Sequence, residues 1–177
     1  MRYPLSLLCF LNSLFALEVD GREGKLLYTL HVPSQWEAIS TPKEKIKDTM
    51  EPLITWRKGA LEARLHSFPL YGASIPPDAQ VTRWLKKFSA QPFYEVLPAS
   101  QGGFAGLILV AENNDEGFLG AAFSLGERGK RSFRNHSEVC SDWTFVVKGP
   151  AKELQREKIA ILEWIETIQL PFEILHD

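Results

Sequence analysis

His136 stands four residues before Cys140, and Asp142 two residues after it. A thiolate becomes a nucleophile when a base within hydrogen-bond reach takes its proton and a third group orients that base. These residue types would serve a cysteine-dependent hydrolase or transferase built on Cys140 and His136. The pattern around them points elsewhere. Cys140 falls within Val139 to Lys148 (VCSDWTFVVK), an alternating segment in which a thiol beside Val139 and Trp143 acts as a small buried hydrophobe. No catalytic residue is assigned on this basis.

The other chemistry-bearing residues are scattered. The histidines are His31, His66, His136 and His176, and none forms an HxH or HxxxH pair. His31 and His66 both fall in strand-like segments, and a zinc site would need a third ligand such as Glu37 or Glu62. Glu112-Asn113-Asn114-Asp115-Glu116 supplies oxygen ligands in a turn, but its spacing is not that of an EF-hand, and Asn and Asp are ordinary turn residues. No metal site and no cofactor is assigned. Gly102-Gly103-Phe104-Ala105-Gly106 leads into a strand pattern rather than a helix N-terminus, so it lacks phosphate-loop geometry.

The basic cluster is Arg128, Lys130, Arg131 and Arg134, with Phe133 among them. Cations interleaved with an aromatic ring suit phosphate or another anion, giving a candidate anion-binding loop over 128–134. Trp36, three residues after Pro33, is a further candidate, positioned to close a pocket. These six residues are the binding candidates. Asn135-His136-Ser137 matches a glycosylation sequon, which matters only on a eukaryotic secretory route.

Several elements must position these residues. Leu26 to Val32 alternates and stops at Pro33, which predicts a strand. Leu53 to Trp56 and Leu61 to His66 flank Arg57-Lys58-Gly59-Ala60, a hairpin signal with Gly59 free to adopt positive φ. Val81, Trp84, Leu85 and Phe88 form one apolar stripe on a helix opened by Pro76-Pro77 and limited by Pro92. Phe104 to Ala111 is continuously apolar, as a strand covered on both faces would be, and Gly106 within it allows close packing. Phe118 to Leu125 returns after the 112–117 turn. Trp143, Phe145 and Val147 share a face of the last strand. Gly149-Pro150 then opens a helix carrying Leu154, Ile161, Leu162, Ile165 and Ile168 and ending before Pro171. The order β–ββ–α–ββ–β–α predicts an α+β domain, an antiparallel sheet covered by two amphipathic helices in an α/β/α sandwich.

The N-terminus sets the expected destination. Leu5 to Leu17 (LSLLCFLNSLFAL) is apolar, follows Arg2, and is too short to span a bilayer comfortably. It reads as a signal peptide over 1–16, with Ala16 at −1 and a bulky Leu14 at −3. A first strand or helix of the domain is the competing reading, and a lipoprotein reading would use Cys9. Residues 17–24 form a polar lead-in, 25–172 the single domain and 173–177 a tail. The mature chain would keep one cysteine, Cys140, and so no internal disulfide.

The 177 residues are 45 % hydrophobic and 24 % charged, which excludes disorder and coiled coil. A net charge of −2 gives no overall pull toward nucleic acid. The Pro33-Ser34-Gln35-Trp36 turn after the first strand, the helix between two hairpins, and the Gly149-Pro150 junction into a terminal helix together resemble the PsbP-like fold, over most of 25–172. That resemblance implies an α/β/α sandwich used by extrinsic photosystem proteins, a nuclear-import cofactor and exported bacterial proteins, mostly as adaptors. It carries no catalytic set. The expected function is an exported, periplasmic or secreted, non-catalytic domain that binds an envelope protein or a small ligand, with no nucleic acid partner and no transmembrane span in the mature chain.

Overall fold

The computed structural model describes residues 13–20, 25–40, 51–68, 75–88, 91–101, 104–125 and 142–174. The strands are β1 (Ser13–Asp20), β2 (Lys25–Val32), β3 (Glu37–Ala38), β4 (Ile54–Lys58), β5 (Leu61–Phe68), β6 (Phe93–Gln101), β7 (Phe104–Glu112), β8 (Glu116–Leu125), β9 (Asp142–Pro150) and β10 (Gln169–Ile174). The helices are α1 (Pro77–Leu85) and α2 (Ala151–Glu166). The chain is therefore α+β. A seven-stranded antiparallel sheet runs in the order β3-β4-β5-β9-β8-β7-β6, and a three-stranded sheet in the order β1-β2-β10.

Local chemistry accounts for the hairpins. Gly59 has φ 57°, which places the β4–β5 turn in the left-handed region that glycine enters at little cost. The turn sets Lys58 opposite Leu61, and β5 then alternates, with Leu61, Ala63 and Leu65 buried and Glu62, Arg64 and His66 half-buried. At the β7–β8 turn the Asn113 side-chain oxygen accepts from the amides of Asp115 (3.1 Å) and Glu116 (2.8 Å), an Asx turn. The same turn caps α2, since the Ala151 amide donates to the Asp115 carbonyl at 3.1 Å. Pro150 at the N-cap position loses nothing there, because the first helical N–H groups have no partner within the helix.

The apolar residues sort by strand alternation into two clusters. Leu119, Ala121, Phe145 and Val147 pack with Leu154, Ile161, Trp164 and Ile165 of α2. Leu109, Ala111 and Ala122 pack with Val81 and Trp84 of α1. The larger cluster is centred on Trp164, whose ring lies 5.2 Å from Trp36, 5.3 Å from Trp56 and 4.8 Å from Phe145. Burying one such ring contributes roughly 4–6 kcal/mol against chain entropy.

Several segments differ from the sequence expectation. Residues 13–20 were expected as the end of a leader and a polar lead-in; they form β1, paired with β2 from Ser13↔Val32 to Asp20↔Lys25. Beyond the terminal helix the chain continues as β10, pairing Phe172, Glu173 and Ile174 with Leu27, Leu26 and Lys25, across a register shift that accommodates Pro171 and its missing N–H. Strand β6, unassigned from sequence, borders β7. Helix α1 has nine residues, shorter than the Pro76-to-Pro92 interval, so Phe88 reaches the core from beyond its end, 6.1 Å edge-on to Phe118.

Candidate functional site

Of the sequence-derived candidates, Trp36 lies within the described residues. It is 6 % exposed and packs on Trp164, so its ring is part of the core rather than open to a ligand. Arg128, Lys130, Arg131, Phe133 and Arg134 lie outside the described residues, as do His136 and Cys140. Asp142, the acid near that cysteine, is 4 % exposed on β9 opposite Phe68 and is engaged in an interaction of its own. His31 is exposed on β2 in the small sheet, whereas His66 is on β5 in the large one. Among the described residues, no three His, Cys, Asp or Glu side chains stand where they could hold a metal ion.

The charged row of β5 is a local device. Glu62 sits between Arg64 at 2.5 Å and Arg57 at 3.6 Å. Next on that face, His66 lies parallel to Phe68, ring centroids 6.3 Å apart, with its Nδ1 buried and unpartnered. Burial, then the positive charges of Arg64 and Lys87, push its pKa down to about 4. A neutral imidazole of so low a pKa is a weak base at pH 7. Beside it an open groove of about 480 Å³ is lined by Ala60, Glu62, Arg64, Asp115, Glu116 and Lys148 among others. Its charges are of both signs, and it selects no ligand charge.

The feature that stands apart is β6. Among the described residues this strand pairs with β7 alone and closes the large sheet. Phe93 is 82 % exposed, Tyr94 57 % and Val96 38 %. Natural edge strands are usually blunted by charge, proline or a bulge. Here Pro98 interrupts the far half, while Phe93 to Leu97 has no strand neighbour on its outer side among the described residues. One charge in this stretch, Glu95, is held by Lys158 of α2 at 3.3 Å. Sequence reasoning missed this site because FYEVLP breaks its alternation at proline; the available signal was an aromatic pair with nothing nearby to bury it.

No protein-family model matches the chain, and a search of curated proteins finds no match. Among solved structures, it is similar to the solution structure of cyanobacterial PsbP (CyanoP) from Synechocystis sp. PCC 6803. The two superpose with a TM-score of 0.53 at 13 % identity, over 90 % of this chain and 94 % of the other. The chain has a PsbP-like fold. Among the described residues no helix is long and apolar enough to cross a membrane.

Proposed function

We propose that this chain is an exported, non-catalytic binding or adaptor domain that docks an envelope protein along β6. The reading is carried by the exposure of Phe93, Tyr94 and Val96 on a strand that has one free edge among the described residues. Exposed apolar groups on a strand edge with no neighbour among the described residues match strand addition, in which main-chain hydrogen bonds give affinity and alternate side chains give specificity. The likeness to cyanobacterial PsbP supports such a role by analogy of fold. The sorting of the two apolar clusters by strand alternation supports the α/β/α sandwich, with α1 and α2 as amphipathic outer layers. The basic residues Arg128, Lys130, Arg131 and Arg134, with Phe133, are the proposed contact for an anionic part of the same partner.

The test is site-specific photocrosslinking in the producing cells. A photoreactive residue at Phe93 gives one discrete adduct, whereas the same residue at exposed Arg83 on α1 does not. The adduct is lost when Tyr94 and Val96 are both changed to Ser. Absence of any Phe93 adduct defeats the docking reading, and recovery of the protein from the cytosol defeats export.

A further inference from the structure

We infer that β1 is a permanent strand of the folded protein, and that any leader removed from this chain is cut off before Ser13 rather than after Ala16. The inference goes beyond the adaptor reading and shares with it only the premise of a leader. Three observations carry it. The first is pairing. β1 and β2 are joined through eight consecutive partners, and a cut after Ala16 strips the four that face Thr29, Leu30, His31 and Val32. On its other side β2 meets β10 no further along than Thr29, paired with Gln169. Among the described residues, Leu30, His31 and Val32 would then have no strand neighbour on either side, although Leu30 is 0 % and Val32 8 % exposed. An open strand edge laid over core side chains is a poor end state for a folded domain.

The second observation is packing. Phe15 is half-buried, and its ring meets Trp56 edge-on at 6.0 Å, while its neighbours Leu14 and Ala16 are exposed. One residue in and two out is the alternation of a working strand, not of a discarded leader. Trp56 is 1 % exposed and touches Phe145 and Trp164, so removing Phe15 uncovers the aromatic centre of the larger cluster. The third is the sequence at the bond itself. Leu14 would occupy −3, where a small residue is required, so a cut after Ala16 is disfavoured on both grounds. Leu5 to Leu11 remains as an apolar run of about the least length a leader uses.

Two measurements decide it. The protein is isolated from the cells that make it, and its first residue is read by N-terminal sequencing with intact mass. A first residue anywhere from Met1 to Ser13 is expected; a start at Leu14 or beyond overturns the inference. In the full chain, Phe15→Ala lowers Tm by roughly 4 °C, and Leu14→Ala shifts it by less than about 1 °C. Equal Tm for Phe15→Ala and the unaltered chain also overturns it. A cytosolic protein with Met1 intact leaves β1 standing and removes the export reading. An exported protein beginning at Leu17 does the reverse.

Discussion

His66 shows how one side chain's surroundings decide its chemistry. Its ring is held neutral by burial and by the charges of Arg64 and Lys87, with its pKa near 4 against 6.5 in an open chain. Between those values the unfolded chain takes up a proton that the folded protein refuses. Stability from this residue is therefore complete above pH 6.5, falls as pH drops from 6.5 to 4, and levels off below 4. The loss amounts to roughly 3 kcal/mol at most. Urea titrations of the unaltered chain and of His66→Gln check this: the difference between their unfolding free energies changes across that window and is flat above it. A difference independent of pH refutes the assignment.

At the scale of elements, β7 and β8 depend on a backbone approach that only glycine permits. A Cβ on Gly106 would stand 2.5 Å from Phe123 and 2.6 Å from the Ala122 carbonyl oxygen. The oxygen belongs to a paired strand and cannot swing aside. Gly106→Ala should cost about 2–3 kcal/mol, read as a lowered urea midpoint with unchanged m-value, because the strands must separate to admit one methyl group. The composition of β7 already suggested a strand covered on both faces, and Gly106 a close approach. The identity of the approaching group was not in the local sequence, because Phe123 belongs to the next strand and meets Gly106 only through the register of the hairpin.

At the scale of the whole molecule, the two sheets are joined where the Tyr28 hydroxyl meets Ser67 Oγ at 2.5 Å, in a buried contact between β2 and β5. α2 adds a second tie, since Thr167 at its end accepts the His31 amide at 3.1 Å and bonds the Trp164 carbonyl at 2.8 Å. Tyr28→Phe should lower stability by about 1 kcal/mol while leaving a single unfolding transition by tryptophan fluorescence and circular dichroism. Two separated transitions would mean that the small sheet unfolds on its own. Periodicity and turn chemistry were enough to read β2, the β4–β5 hairpin, α1, the β7–β8 hairpin, β9 and α2, because each is held by signals within a few residues: Gly59 in one turn, Asn113 in another, Pro150 before the terminal helix. From the same signals came the α+β class and the PsbP-like layout. They did not yield β1, β6 or β10: β1 and β6 pair with the next strand along but lack a clear polar–apolar alternation in sequence, and β10 pairs with β2, some 140 residues away. Nor could they tell that Trp36 faces Trp164, some 130 residues away, instead of a ligand. Local sequence fixes what a segment can be; which face is buried, and which edge lacks a strand neighbour among the described residues, depends on how the elements pack together.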